Sequence, residues 1–328
     1  MRLWQRGAWL AAALSVAGLA HAEPNLWQRT REPGSLARSK ARRRAEQLFA
    51  QAAEARLEPE MLHDLSLGSA ALLELSGGAE RDPWQAVLLG RVLLDAAAGR
   101  ERDAARLIEG GIGQLPTSDF KRESWFDLGL SYMLVGESER AVKAYTAALA
   151  LASDPDDRAT IYRNRGKARM LSGRLGDAVA DFRAAVRLAQ SPVVVALSHF
   201  GLGVALERNG DYPAGMQAIA LGVAVRLSGP GLQSESVLDL PTLRWIPEYD
   251  VHYFRALGAM AQAEAADETV VEEERYAAAL ESWEQYLALA EPAKDRFVQN
   301  AERHRQRCFD ALSRLHRAAP RAASSRAR

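Results

Sequence analysis

His304 and Cys308 are the residues whose types and spacing come nearest to a chemical site. They are four residues apart, so a helix would place them on one face, at a spacing that pairs of zinc ligands use. Two ligands make only half a site, and His316 lies too far along the helix to complete it. We therefore interpret the pair as part of a polar helix face, and the sequence predicts no metal site. Taken alone, Cys308, the only cysteine of the chain, is interpreted as a small buried helix residue.

Other candidate motifs lack the context that their chemistry requires. Gly201-Leu202-Gly203 is half of a dinucleotide-binding fingerprint, but it lies within a predicted helix with no strand before it. The run Glu272-Glu273-Glu274 is more typical of a solvated helix face than of an acid–base pair. There is no Walker loop, no zinc-protease motif and no Gly-x-Ser-x-Gly elbow. We therefore predict no catalytic residues, no cofactor and no enzyme activity.

Glycines at a constant interval indicate the elements that build this chain. Gly99, Gly136, Gly173 and Gly210 are 37 residues apart, and Gly129, Gly166 and Gly203 keep the same interval. A period of roughly 30 to 40 residues in a chain rich in Ala and Leu is typical of stacked helical hairpins. The first set of glycines would end the first helix of each hairpin, because glycine adopts the left-handed conformation at the least cost.

The repeated positions resemble the tetratricopeptide repeat, whose pattern is W-x2-L-G-x2-Y followed by A-x3-F-x2-A. The matching residues are Trp125, Leu128, Gly129, Tyr132, Gly136, Ala141, Tyr145 and Ala148 in one unit, Tyr162, Gly166, Gly173, Ala178, Phe182, Ala185 and Pro192 in the next, and Leu202, Gly203 and Gly210 in a weaker third. The resemblance implies an all-α fold, a right-handed α-solenoid of stacked antiparallel helix hairpins. Arg165 and Asp181 stand where a common variant of the family has a charged pair, so we expect an ion pair between them.

The resemblance also implies a binding groove, because the first helix of each hairpin lines a concave surface in this family. The inward residues would be Phe126, Leu130 and Met133, then Arg163, Lys167 and Met170, then Phe200, Val204 and Glu207. This surface suits an apolar segment of a partner protein, with an acidic residue opposite Arg163 and Lys167. Relatives that clamp a terminal carboxylate have Lys and Asn where this chain has Phe126 and Leu130, so we do not expect that clamp. The alternative is that the connection 228–248 or the C-terminal part covers the groove.

The first 22 residues have the features of a signal peptide. Arg2 and Arg6 precede an apolar stretch of 14 residues, Gly7 to Ala20, and Ala20-His21-Ala22 forms a cleavage site. The stretch is shorter than the roughly 20 residues of a stable membrane anchor. We expect cleavage after Ala22 and a periplasmic or secreted protein that is not a lipoprotein. A buried first helix and an uncleaved anchor are the alternatives.

The pattern predicts a division of the rest of the chain. The segments are a linker 23–37, an N-terminal helical region with a degenerate repeat 38–115, a repeat core 118–228 of about three repeats, an irregular connection 229–248, a C-terminal hairpin with a capping helix 249–317, and a disordered basic tail 318–328. Glycines at 110, 111 and 113 predict a break in the chain before the core. The acidic stretch 267–274 is predicted to be an insertion or a helix extension.

Charge is unevenly distributed although the net charge is zero. Residues 29–44 carry a net charge of +6 and residues 294–328 one of +7, whereas residues 45–293 carry −14. The acidic middle does not favour nucleic-acid binding, and the basic ends could contact an anionic envelope surface or the acidic body itself. The sequence thus predicts a non-catalytic scaffold or adaptor of the bacterial cell envelope that binds a protein or peptide. The alternative is a periplasmic enzyme, or a ligand- or metal-binding domain, in the atypical C-terminal region.

Overall fold

A computed structural model of the chain describes residues 35–54, 59–79, 82–96, 99–225, 237–240 and 243–326. The predicted signal peptide and most of the predicted linker lie outside these residues. Throughout the described ranges the regular secondary structure is helical, and each helix packs against the next one in its unit. The described chain is therefore a series of stacked helix pairs, as in tetratricopeptide repeats. None of its helices is long and apolar enough to cross a membrane.

The chain divides into two compact units, which meet in sequence after Ala152. The N-terminal unit contains α1 (Ser35–Glu54), α2 (Pro59–Ser76), α3 (Pro83–Asp95), α4 (Glu101–Ile112), α5 (Asp119–Leu134) and α6 (Ser138–Leu151). The C-terminal unit contains α7 (Pro155–Leu171), α8 (Leu175–Leu188), α9 (Pro192–Arg208), α10 (Tyr212–Ala224), α11 (Asp250–Glu264), α12 (Thr269–Ala290) and α13 (Val298–Arg326), with a 3-10 turn at Val237–Asp239. The predicted core 118–228 thus has residues in both units.

Glycine has the two roles that its spacing predicts. Gly136 and Gly173 follow α5 and α7 with φ of 82° each, in the left-handed region where glycine costs least. Gly129 allows α5 and α6 to approach, because a Cβ atom there would lie 2.6 Å from the Tyr145 ring. The predicted break before the core lies between Ile112 and Asp119, later than Gly110: α4 continues to Ile112, and Gly111 packs where a Cβ atom would lie 2.5 Å from the Pro83 carbonyl oxygen.

The helix ends differ from the predicted boundaries at both termini of the described chain. Helix α1 begins at Ser35, inside the predicted linker, and α13 continues to Arg326, inside the segment predicted to be disordered. Helix α12 begins at Thr269, so most of the acidic stretch 267–274 extends a helix. Part of the basic C-terminal helix contacts this acidic region, since the His316 Nε2 atom lies 2.8 Å from Glu273 Oε1.

Each unit has its own apolar core. In the N-terminal unit, alanine and leucine side chains of α1 to α4 form it, including Ala45, Leu48 and Leu73. The core of the C-terminal unit is richer in aromatic residues, and it includes Phe182, Phe200, Tyr253, Trp283, Tyr286 and Phe297. Its last hairpin and closing helix therefore bury large rings against the repeat helices.

Candidate functional site

Two of the three predicted groove residues of the N-terminal unit keep part of their surface exposed. Phe126 and Leu130 are partly buried on α5, whereas Met133 is buried. The Phe126 ring centroid lies 5.4 Å from that of Tyr145, and Leu130 packs against the apolar core of this unit. Phe126 and Leu130 lie one turn apart on the same helix, and together they form a small apolar surface.

Four of the predicted groove residues of the C-terminal unit are not on a surface. Met170, Phe200, Val204 and Glu207 are at most 4% exposed, and the first three belong to the apolar core. Phe200 and Val204 are covered because α9 packs against α11 and against the 3-10 turn, whereas Met170 on α7 lies against α9, with its Sδ atom 3.6 Å from Arg208 Nη1. Phe200 lies so close to α11 that a Cβ atom on Gly258 would be 3.3 Å from its ring. The prediction that these residues line a groove is therefore wrong for this structure.

Arg163 and Lys167 remain from the predicted groove of this unit, and both are partly buried on α7. The connection covers Lys167, whose Nζ atom donates to the Arg244 carbonyl oxygen at 3.4 Å and lies 5.2 Å from the centre of the Trp245 ring. Trp245 is itself held edge-on against Phe254, with ring centroids 4.9 Å apart. At this position the chain covers its own helix face, as the alternative interpretation of the sequence proposed.

Arg163 and Lys167, unlike Arg165 and Arg169 on the same helix, have no carboxylate partner in the described part of the chain. The Arg163 Nη1 atom is buried without a hydrogen-bond acceptor, and burial lowers the pKa of Arg163 to about 10. Burial also lowers the pKa of Lys167 to about 8, where the nearby charge of Asp250 opposes the shift and those of Arg163 and Arg208 add to it. Positive charge is thus in excess around this pair.

Other arginines of the same unit have carboxylate partners. The predicted pair of Arg165 and Asp181 is confirmed, with Nη2 2.8 Å from Oδ1 and Nε 3.0 Å from Oδ2. Arg169 also contacts Asp181, at 2.7 Å. On α9, Arg208 pairs with Asp250, and both side chains are 1% exposed. Asp181 and Asp250 are thus both paired with other arginines.

Glu207 is the centre of a buried polar network that the sequence did not predict. Its carboxylate accepts hydrogen bonds from the Tyr253 hydroxyl and from Asn300 Nδ2 at 2.9 Å, and it lies 2.8 Å from His304 Nε2. Burial alone would raise the pKa of Glu207, but His304, Tyr253 and Arg208 outweigh it and hold the pKa below its ordinary value. The network fastens α11 and α13 to α9.

His304 and Cys308 face the interior, so the interpretation of the pair as a polar helix face is wrong, whereas that of Cys308 as a small buried helix residue is confirmed. The His304 ring stacks between Tyr212 and Trp283, with centroid distances of 5.1 and 5.3 Å. Cys308 is fully buried, and burial raises its pKa to about 12. Among the residues that the structure describes, no group of three or more His, Cys, Asp or Glu side chains could hold a metal ion.

Arg91 is the buried cation of the N-terminal unit, and the sequence analysis missed it. Its side chain is 5% exposed, and it contacts Asp127 at 2.6 Å and Glu123 at 2.9 Å. The guanidinium group also lies over the rings of Phe49 and Phe120, at 5.3 and 5.0 Å. Burial alone would lower the pKa of Arg91, but the two carboxylates outweigh it and raise the pKa. The separation of 36 residues between Arg91 and Asp127, close to the repeat period, was the available signal.

A comparison with protein families identifies the repeat. The model described as "Tetratricopeptide repeat" matches residues 123–155, which include most of α5 and all of α6. The chain contains a tetratricopeptide repeat. Such repeats typically form protein-binding scaffolds, and the scaffold fold is commonly non-catalytic. No curated protein matches the sequence.

Several solved structures are similar to this tetratricopeptide-containing chain. The MamA protein is 17% identical and covers 55% of this chain and 90% of its own, with a TM-score of 0.42. BtubC from P. vanneervenii is 18% identical, and the match covers 60% of this chain and 92% of BtubC, with a TM-score of 0.45. The C-terminal part of a TPR repeat-containing protein from Cytophaga hutchinsonii is 14% identical. The match covers 81% of this chain and 95% of that structure, with a TM-score of 0.45.

Proposed function

We propose that the protein is a non-catalytic adaptor that binds a segment of another protein through its tetratricopeptide repeats. The observation that carries the proposal is the repeat at residues 123–155, whose first helix presents Phe126 and Leu130 partly exposed. Partly buried apolar side chains on a rigid helix can anchor an apolar side chain of a partner at little cost in conformational entropy.

Site-specific photo-crosslinking in the native cell tests this surface. A photoreactive residue at position 130 should give discrete adducts with a partner, whereas one at Leu221, which is 57% exposed on α10, should not. The double substitution Phe126→Gln and Leu130→Gln should abolish partner binding, measured with the isolated partner once the adduct identifies it. Adducts of equal yield at 130 and 221, or unchanged partner binding by the double variant, would contradict the proposal.

A matched control separates loss of binding from loss of folding. Leu221→Gln and Phe309→Gln make the same kind of apolar-to-polar change at side chains that are 57% exposed in the C-terminal unit. This control variant should bind the partner like the wild type. The thermal unfolding midpoint of both double variants must be measured, because Leu130 also packs against the core.

Location in the cell envelope is a further part of the proposal. It is supported by the signal-peptide features of the first 22 residues. Cell fractionation with N-terminal sequencing should find a mature chain that begins at Glu23, outside the cytosol. A full-length chain confined to the cytosol would contradict export and leave the binding proposal intact.

No contact among the described residues supports the alternative of an enzyme or metal-binding domain in the C-terminal region. His304 and Cys308, its best candidates, are both in buried contacts within the core. An activity there would need other residues.

A further inference from the structure

The first described hairpin has an apolar outer surface, although it stands at an end of the described stack. Helix α2 packs against α1 and α3, and three of its large apolar side chains are exposed, Met61 to 48%, Leu67 to 40% and Leu75 to 54%. Terminal units of such stacks generally have a polar outer face, which keeps them soluble. At the other end of the described chain, the exposed side chains of α13 are mostly polar, for example Arg303 and Gln306. The exposed apolar face of α2 therefore indicates an interaction surface.

Two of these side chains belong to a stripe that is symmetric about a glycine. Met61 and Leu75 lie seven residues before and seven residues after Gly68, and seven residues are nearly two helical turns, so the three are on one side of α2. Asp64 and Ala71, both exposed, complete the stripe. Because Gly68 has no Cβ atom, another helix can approach closely at this point. Two copies of α2 that cross antiparallel at Gly68 would place Met61 of each copy against Leu75 of the other.

The charges of the same hairpin favour this antiparallel contact. The start of α1 forms a basic end of the hairpin, whereas the end of α1 and the start of α2 form an acidic end. The residues are Lys40, Arg43 and Arg44 at the basic end, and Glu54, Glu60 and Asp64 at the acidic end. Glu74, which lies near the basic end, is paired with Arg100 at 2.6 Å. An antiparallel crossing brings the basic end of each copy to the acidic end of the other, and a parallel crossing would bring like charges together.

We infer that the outer face of α1 and α2 is the interface of a symmetric homodimer. The two α2 helices cross antiparallel at Gly68 about a two-fold axis, so that every contact between the copies occurs twice. The hairpin at the end of the described stack is then covered by the same hairpin of a second copy. This inference goes beyond the proposed function and does not rest on it, because Phe126 and Leu130 of α5 take no part in the interface.

Analytical ultracentrifugation of the chain from Glu23 onwards, the expected mature form, tests the interface. The wild type should be a dimer that dissociates on dilution. The double substitution Met61→Gln and Leu75→Gln should raise the dissociation constant of the dimer about tenfold or more, because the two-fold axis makes each lost apolar contact count twice. A matched control, Val270→Gln with Leu289→Gln, changes side chains that are 66% and 50% exposed in the C-terminal unit. This control should retain the wild-type dissociation constant.

Charge reversal tests the antiparallel orientation. The double substitution Lys40→Glu and Arg44→Glu gives both ends of the hairpin a net negative charge, and Glu60→Lys with Asp64→Lys gives both ends a net positive charge. Each variant alone should be a monomer at the concentration at which the wild type is a dimer. An equimolar mixture of the two variants should form dimers, because every acidic end again meets a basic end. Dimers in the mixture also show that the substitutions leave the hairpin folded.

Disulfide trapping measures where the helices cross. Cys308, the only native cysteine, is fully buried, so that an introduced surface cysteine is the one that reacts. A mixture of Met61→Cys chains and Leu75→Cys chains should form a disulfide-linked heterodimer under mild oxidation. Met61→Cys chains alone should not, because the two copies of residue 61 would be about 21 Å apart along the crossed helices.

Three results would overturn the inference. A wild type that is a monomer at every concentration would assign the cover of α2 to another part of the chain or to an unlike protein. A mixture of the charge-reversed variants that stays monomeric would exclude the antiparallel pairing. Disulfide formation by Met61→Cys chains alone, equal to that in the mixture, would exclude the crossing at Gly68. Loss of crosslinking at position 130 in a chain that still dimerises would instead contradict the proposed function alone.

Discussion

Arg91 in the N-terminal unit and Arg163 in the C-terminal unit are both cations on a first repeat helix, but their surroundings differ. In the N-terminal unit, Arg91 on α3 is enclosed by two carboxylates and two aromatic rings. In the C-terminal unit, Arg163 on α7 has a buried Nη1 atom without an acceptor, and Lys167 has only a distant carbonyl oxygen. The raised pKa of Arg91 and the lowered pKa values of Arg163 and Lys167 express this difference. Arg91 is thus neutralised within its own unit, whereas no described carboxylate pairs with Arg163 or Lys167.

The largest effect that we expect comes from removing a carboxylate that is already in use. Asp250→Ala would leave Arg208 buried without its partner, and it should lower the free energy of unfolding by about 3–5 kcal/mol. Asp239→Ala removes an acidic group from an exposed pair with Arg255, and it should cost only about 0–1 kcal/mol. Urea denaturation measures both. Equal losses in the two variants would show that burial of the Arg208 pair has no special weight.

A second comparison concerns the tightness of the hairpins in the two units. A Cβ atom on Gly129 would lie 2.6 Å from the Tyr145 ring, whereas one on Gly166 would lie 3.0 Å from the Phe182 ring. Gly129→Ala should therefore destabilise the protein by about 1–3 kcal/mol through overpacking, and Gly166→Ala by less. Thermal and urea unfolding of the two variants test the order. A larger loss for Gly166→Ala would contradict the packing difference between the two hairpins.

The smallest expected effect is a pH dependence that comes from Lys167. The folded-state pKa is about 8, below the ordinary value of 10.5. The unfolded chain therefore binds more protons between these two pH values, and stability rises with pH across this window. Between pH 8 and 10.5, the free energy of unfolding of the wild type should rise by on the order of 1–2 kcal/mol relative to that of Lys167→Met. This is less than the full pKa difference would give, because the Lys167 side chain is partly exposed. Parallel pH profiles of the two proteins would contradict the lowered pKa.

The sequence predicts features that depend on neighbouring residues or on the repeat period. Gly136 and Gly173 are examples, because a left-handed residue after a helix is a local requirement. The pair of Arg165 and Asp181 lies within one hairpin, 16 residues apart, so the repeat pattern alone brings it together.

The missed features depend on contacts between distant parts of the chain. Glu207 and His304 are 97 residues apart and meet because α13 returns to α9. Phe200 has the repeat position of a groove residue, but α11 packs over it. The position of α11 follows from tertiary packing after an irregular connection, which no periodicity in the sequence describes.

The most direct test of the account compares Arg91→Met with Arg163→Met by urea denaturation at neutral pH. Methionine fills similar space without charge. We predict that Arg91→Met lowers the free energy of unfolding by about 2–3 kcal/mol, because it leaves two carboxylates without their cation. We predict that Arg163→Met is within about 0.5 kcal/mol of the wild type or more stable, because it removes a charge that no described group neutralises. A loss for Arg163→Met as large as that for Arg91→Met would contradict the account.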